Sequence, residues 1–539
     1  MMNLGTLFNY VDRQLDPTVI RIVEETLEGT RREVSSAELR TSSNNLARNL
    51  IELGAQPGDK VAFYGKNSAD YLIGLVAVMK ARLVHANVNY RYAQGELKYI
   101  LDNSDARFVI FDSEYADTLA EVVNDLPRCE HCIEMGDSPV ADWARSFSEL
   151  TQRGDGKPLD VQGEAEDLFF MYTGGTTGMP KGVMWEQYQL WNAIGRNFLD
   201  PGAAVPQAPE DIAVPASGGG INSLIVLPLM HGGGVYSALN ALGYGNTCIL
   251  PVSNSFDPDL ALSCVDKHGI MVLTISGDVF ATPLINALQT SPKKYSLQSL
   301  KVVNSTAMVF SPHNKKALLE QAPDLIIFDN LGSSESSAGA MAMFGKDSEL
   351  DTNAVVFKLT PNAKVFTEDL REVQPGSGGK GCVAITGALP LGYYKDEKKT
   401  AETFITVDGV RYSRAGDWVE LLEDGSIKFL GRGSVCINSG GEKIYPDEVE
   451  SVIKSHDAVA DCVVVGVADD RFGQAVTAVV ELAATMTTST TELQEYVRSR
   501  LSGYKVPKNV LFVDEVYRAP NGKADYPATK ALAEAEILG

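Results

Sequence analysis

Nine consecutive residues, Thr173-Gly174-Gly175-Thr176-Thr177-Gly178-Met179-Pro180-Lys181, bring together three threonines, three glycines and one lysine. They follow an apolar run, Leu168 to Met171, that reads as the end of a buried strand. Glycine lets backbone N–H groups approach a phosphate and turn toward it. Threonine hydroxyls add donors, and lysine adds a compact positive charge. Polyphosphate binding is the chemistry this combination suits. The bland alternative is a glycine-rich surface loop with no ligand. The spacing Gly-x-x-x-x-Gly-Lys-[Ser/Thr] is absent, so this is not the common nucleotide P-loop.

Further segments carry chemistry-bearing groups. Leu227-Pro228-Leu229-Met230-His231-Gly232-Gly233-Gly234 places a histidine at a turn after a strand, where it could face a ligand or be satisfied by backbone. Asp329-Asn330-Leu331-Gly332-Ser333-Ser334-Glu335 follows an apolar strand, and α/β sheets bind ligands at such strand ends. The bland alternative for Glu335 is a solvated loop acid. Asp417, in Tyr412-Ser413-Arg414-Ala415-Gly416-Asp417-Trp418, offers a carboxylate suited to a vicinal diol, although Gly-Asp is also a common turn. Lys523 sits in Arg518-Ala519-Pro520-Asn521-Gly522-Lys523-Ala524, where proline and glycine suggest a held loop tip.

In this order, between Tyr172 and Lys523, the segments resemble the adenylate-forming superfamily, which holds acyl-CoA synthetases, peptide-synthetase adenylation domains and luciferases. The resemblance implies roles residue by residue. Thr173, Gly174, Gly175, Thr176, Thr177, Gly178 and Lys181 would hold the β- and γ-phosphates of ATP. His231 would sit beside the acyl carboxylate. Glu335 would carry Mg²⁺, with Ser334 standing where the family has threonine. Asp329 and Leu331 would belong to the nucleotide site, and Leu331 replaces the usual aromatic, so adenine would pack on an aliphatic side chain. Asp417 and Arg432 would contact the ribose, and Lys523 would bridge the carboxylate and the α-phosphate. Gly440 and Gly441, within the block Gly431 to Glu450, would border a pantetheine tunnel. Ser434 occupies the family's hinge position, where many members carry Asp or Lys.

The function so implied is that of an ATP-dependent acyl-CoA ligase using ATP, Mg²⁺ and coenzyme A. The sequence is most similar to bacterial ligases for steroid side-chain and other bulky acids, through Met171 to Trp185 and Gly431-Arg432-Gly433-Ser434. Small residues at Gly232 to Gly234 and Ala338-Gly339-Ala340 would widen an acyl pocket, or serve close packing. An arylpropionate or medium-chain acid ligase is one alternative, and an acyl-AMP ligase or adenylation module serving a separate carrier protein is another. The chain ends 16 residues after Lys523, which leaves no room for an attached carrier domain. A non-catalytic nucleotide-binding protein would not need Lys181, Glu335 and Lys523 together.

The elements that must position these groups alternate along the chain. Helical periodicity over 39–54 and 71–81 alternates with short apolar strands at 60–64, 107–112, 225–227, 271–275, 301–303 and 325–328, which predicts parallel α/β layers. Asp200 to Gly220 reads as a loop. After about residue 431 the pattern changes to helix 447–456, strands 460–467 and 474–482, helix 491–501 and strand 510–513. The expected architecture is α/β: a large, multi-subdomain N-terminal domain with parallel-type sheets (1–431) and a small, mobile α+β C-terminal domain (432–539).

At 539 residues the chain exceeds one ordinary core. Its 44% hydrophobic and 22% charged content is that of a globular protein. A formal net charge of -23 argues against nucleic acid or an anionic membrane as partner. The expected partners are a small carboxylic acid, ATP and CoA, with a homodimer left open. No signal peptide and no transmembrane run is visible. Seven scattered cysteines fit a reducing cytoplasm, and Cys129-Glu130-His131-Cys132, without a second ligand pair, reads as structural.

Overall fold

The computed structural model describes residues 2–92, 94–136, 141–175, 178–214, 220–336, 338–348, 356–439, 442–469, 472–501, 503–519 and 523–538. Three sheets organise them. An eight-stranded sheet has a parallel centre of Val84–Asn87, Lys60–Tyr64, Ala106–Asp112 and His131–Met135. Leu168–Gly175 joins its edge in parallel beside Val84–Asn87, then turns back antiparallel into Gly178–Glu186. The expected strand end at Met171 is therefore extended to Gly175, and the glycine-threonine stretch is a hairpin with Thr173 opposite Lys181.

The fifteen-stranded sheet begins with the antiparallel edge strand Gly29–Ser35 and is then parallel. Ile20–Thr26, Thr247–Pro251, Asn222–Ile225, Val272–Ile275, Val302–Thr306 and Ile326–Gly332 lie side by side in that order. From Ile326–Gly332 onward it is antiparallel, through Ala338–Phe344 and Val356–Leu359 to the pair Asp417–Leu421 and Ser426–Arg432. Strands buried on both faces explain the continuous apolar runs of the parallel half, whose core includes Leu224, Leu273, Val303 and Ile327.

The third sheet contains Ile437–Ser439, Glu442–Ile444, Val459–Asp469, Gly473–Leu482 and Asn509–Val513, antiparallel apart from its last pair. One 3-10 turn, Gly433–Val435, separates it from the last strand of the large sheet. The helices Pro446–Lys454 and Thr490–Arg498 cover it with Val449, Ile453, Leu493 and Val497. The 200–214 stretch holds a single 3-10 turn, Pro209–Asp211.

Local signals place the helices next to the site. Ser68 caps Ala69–Lys80 by accepting from Tyr71 N–H, and that helix is buried almost throughout, which matches its apolar sequence. Asp396 caps Glu397–Thr403 by accepting from Lys399 N–H. Gly232–Gly243 starts directly after His231. No helix among the described residues is long and apolar enough to cross a membrane.

Candidate active site

A cavity of about 1960 Å³ opens between the sheets. Ligand pockets for a single small molecule run to roughly 1,000 Å³, so there is space for a nucleotide and a second, sizeable molecule. Thr173, Lys181, His231, Ser334, Glu335 and Lys523 all border it.

Asn87, at the end of a central parallel strand and 3% exposed, ties the first parts together. Its Nδ2 donates to Tyr172 O at 2.9 Å and Met230 O at 2.7 Å, while its Oδ1 accepts from Tyr172 N–H at 2.6 Å. One buried amide thus fixes the hairpin against the His231 turn. Asn67 does the same for that turn's other arm, donating to Leu227 O at 3.0 Å and accepting from Leu229 N–H at 2.7 Å. The Trp185 indole donates to Ser334 O at 3.0 Å and anchors the Glu335 loop to the hairpin.

The short strand Gly392–Tyr393 pairs with the outer arm of the hairpin. It delivers two side chains the sequence reading did not single out. The Tyr393 hydroxyl donates to Glu335 Oε1 at 2.8 Å. Asp396 forms an ion pair with Lys181. Glu335 is therefore half-buried and oriented, not a freely solvated loop acid. Neither residue had a local signal beyond its own type; their roles come from edge pairing between distant strands.

His231 Nε2 is buried with no hydrogen-bond partner among the described residues, so the backbone-satisfied alternative for this nitrogen does not hold there. Burial, followed by the nearby Lys523 and Arg91 charges, pushes the imidazole down to about 4. It is neutral at pH 7 and can offer a hydrogen bond without a charge. The Tyr236 hydroxyl, also on the cavity wall, is likewise buried. Burial and then Glu335 push its pKa upward.

The remaining expected residues divide. Asp329 does not border the cavity; it is 2% exposed and ion-paired with Lys315 at 2.6 Å. Burial raises its pKa and Lys315 opposes that shift. Leu331 packs toward the cluster of Ala340, Phe357 and Val383 instead of the cavity, because strand alternation sends Asn330 and Gly332 to the other side. Asp417 is buried between Gly416 and Trp418, which do border the cavity, and its strand partner is Arg432. Gly174, Gly175 and Gly178 lie at the hairpin end. Thr176, Thr177, Gly440 and Gly441 fall outside the described residues.

The small-residue segments also divide. Gly232, Gly233 and Ala338 line the cavity. Gly234 and Gly339 are packing positions: a Cβ at Gly234 would strike the Leu227 and Pro228 carbonyls, and one at Gly339 would strike Ile385. The Cys129 and Cys132 sulfurs lie 3.8 Å apart as free thiols, and no metal-binding cluster occurs among the described residues.

A parallel α/β framework with a phosphate-type hairpin, a carboxylate and two lysines around one large cavity defines a nucleotide-using α/β enzyme. Residues 11–394 match the AMP-binding enzyme family and residues 448–523 match the AMP-binding enzyme C-terminal domain, and the chain belongs to this family. It is 39% identical over 508 residues to the medium/long-chain-fatty-acid–CoA/3-oxocholest-4-en-26-oate–CoA ligase of Mycobacterium tuberculosis, covering 93% of this chain and 92% of that protein. It is also 39% identical to the 3-oxocholest-4-en-26-oate–CoA ligase of Rhodococcus rhodochrous, over 92% of this chain and 90% of the relative. Among solved structures, ATP-bound MatB from Rhodopseudomonas palustris superposes over the full length of both chains with a TM-score of 0.80 at 24% identity, a likeness of fold.

Proposed function

We propose that this protein is an ATP-dependent acyl-CoA ligase that activates a bulky, apolar carboxylic acid through an acyl-adenylate. The observation that carries the reading is the meeting of Lys181, His231, Glu335 and Lys523 on one cavity with room for two ligands. The relatives' CoA-ligase activities support the reaction class, and their fatty-acid and steroid-acid substrates support the acid.

In this reading Thr173, Thr176, Thr177 and Lys181 hold the β- and γ-phosphates. Lys523 brings the carboxylate to the α-phosphate and offsets their mutual repulsion. A carboxylate oxygen attacks the α-phosphorus, the bond to the bridging oxygen breaks, and pyrophosphate leaves. Neutral His231 orients the carboxylate without adding charge. Asp417 and Arg432 serve the ribose. Catalysis here is positioning and charge compensation. A magnesium ion held by Glu335 would supply counter-charge to the phosphates. A single protein carboxylate fits that ion, which usually completes its shell with phosphate oxygens and water.

The mixed anhydride is then open to a thiolate. Attack of CoA sulfur on the acyl carbon expels AMP and forms the thioester. We assign residues 1–431 to the acyl and ATP domain and 432–539 to a small domain that turns about Ser434, withdrawing Lys523 and bringing Gly440 and Gly441 to the pantetheine. All named groups come from one chain, so the chemistry needs no second subunit; a homodimer is compatible with it. Use of ATP and CoA fits a cytoplasmic placement.

The test is AMP release with and without CoA for acetate, octanoate, an arylpropionate and a steroid side-chain acid. CoA-dependent release with the highest kcat/KM for a bulky acid is expected. Acetate as the best substrate would reject the bulky-acid assignment. Adenylate formed without CoA-dependent release would redirect the reading to a carrier-protein acceptor.

A further inference from the structure

Arg196 stands on the cavity wall. It follows the helix Gln187–Ile194, and that chain end is tied to the helix Gly232–Gly243. Asn240 Nδ2 donates to Ile194 O at 2.7 Å and to Arg196 O at 3.0 Å. Gly232 adjoins His231 at the start of the same helix, and Asn240 is eight residues further on. At 1.5 Å per residue that is roughly 12 Å along the helix axis. Gly232, Gly233, Tyr236, Ser237 and Asn240 all border the cavity, so the space follows this helix from His231 down to Arg196.

Among the described residues the Arg196 side chain has one hydrogen bond, from Nη1 to Met341 Sδ at 3.1 Å, and no ion pair. A thioether is a weak acceptor, whereas a guanidinium carries five N–H donors. Its partner Met341 belongs to an apolar cluster in which Met341 and Phe198 pack with Val272, Val302 and Phe328. A smaller cavity of about 280 Å³ shares Phe198, Ser237, Asn240 and Thr274 with the main one, so space continues past this point.

We propose that Arg196 determines specificity at the distal end of the acyl substrate by donating hydrogen bonds to an oxygen acceptor, keto or carboxylate, on an otherwise apolar acid. The proposal rests on the acyl-CoA ligase reading and names the substrate class within it. A plain hydrocarbon end docked here would strip water from the guanidinium and return nothing. An oxygen at the same depth replaces the lost water. A site built to hydrogen-bond a substrate group discriminates strongly against the analogue that lacks it.

The experiment compares kcat/KM, by CoA-dependent AMP release, for matched acids. One set is a long-chain fatty acid, its ω-keto analogue and its ω-carboxy analogue. The other is a steroid side-chain acid with and without a ring ketone. The wild-type chain should favour at least one oxygenated member by roughly ten- to hundredfold, the range for a hydrogen bond to a charged group. Which member it favours identifies the acceptor. Arg196→Met should collapse that ratio toward one, and Arg196→Lys should restore part of it. Equal kcat/KM within both wild-type sets overturns the proposal whether or not the variants fold. Turnover of plain acids without that preference sinks this inference alone; CoA-dependent turnover of no acid sinks the ligase reading and the inference with it.

Discussion

The Lys181 ammonium is paired with the Asp396 carboxylate, 215 residues further along the chain. The lysine comes from the hairpin and the aspartate from the N-cap of Glu397–Thr403. A polyphosphate at the hairpin must compete with this carboxylate for the same cation. The hydrogen bond from Lys181 holds the Asp396 pKa below the usual carboxylate value, so the carboxylate is charged at neutral pH.

Asp396→Asn should tighten ATP binding. Asparagine remains a good N-cap and keeps the helix start, but it no longer competes for Lys181. A partly exposed pair of this kind is worth at most about 1 kcal/mol, so the expected gain in Kd for a non-hydrolysable ATP analogue is up to about fivefold. Calorimetric titration reads it. Weaker binding in the variant would mean that Asp396 pre-positions the lysine instead of competing for it.

Glu335→Gln should raise the magnesium concentration needed for half-maximal pyrophosphate exchange, because an amide keeps the shape and loses the charge a hard cation prefers. Tyr393→Phe removes the 2.8 Å hydrogen bond to Glu335 and should lower the exchange rate by roughly tenfold, in line with a bond to a charged group. An unchanged magnesium titration in Glu335→Gln would remove this residue from metal binding.

Lys523→Ala should cut adenylate formation by roughly 10²- to 10³-fold, as loss of one charge-stabilising donor does elsewhere. Thioester formation from premade acyl-adenylate should survive. The two half-reactions are assayed separately, and equal damage to both would reject the role.

His231 should show no titration near pH 6.5. Its pKa is depressed to about 4, so the folded protein keeps the ring neutral while the unfolded chain protonates it. The resulting stability is present above the unfolded value of about 6.5 and is lost as pH falls through about 4. Buried His85, pushed down to about 3 by burial, adds the same sign of dependence. A histidine NMR titration from pH 8 to 5 should leave the His231 signal flat, and thermal melts should fall over the acidic part of that range. An inflection near 6.5 assigned to His231 would mean a solvated ring.

Gly234→Ala should cost about 1–3 kcal/mol, the usual penalty for overpacking, because the new methyl meets backbone carbonyls of Leu227 and Pro228 that cannot rotate away. Gly232→Ala meets the Tyr236 ring at 3.2 Å and Ser334 Oγ at 3.6 Å, both side-chain atoms, and should fold nearly as well. Denaturant midpoints of the two variants decide it; equal midpoints would show that the turn can yield.

Much of the molecule was legible in the chain because the signals are local. Apolar runs and helical periodicity located the strands Val272–Ile275 and Asn509–Val513 and the helices Ala69–Lys80 and Pro446–Lys454 to within a few residues. Resemblance to the family's motifs marked Thr173, Lys181, His231, Glu335 and Lys523, and these border one cavity. A motif cannot say which face of a strand points inward, so Asp329 and Leu331 were expected at the site and Asn330 was not, whereas the pleat turns the first two away and leaves Asn330 on the cavity.

What the sequence determined by itself is the α/β alternation and the change of pattern near residue 431, because each depends on residues close together in the chain; the candidate site residues came from the resemblance of short segments to a known family. Only the tertiary structure decided that Asn87 joins the hairpin to the His231 turn, that Tyr393 and Asp396 pair with Glu335 and Lys181, and that Arg196 lies on the cavity wall beside Met341. Those relations arise from strand pairing and helix packing between distant segments. Their geometry exists only after the chain has closed loops that no local pattern encodes.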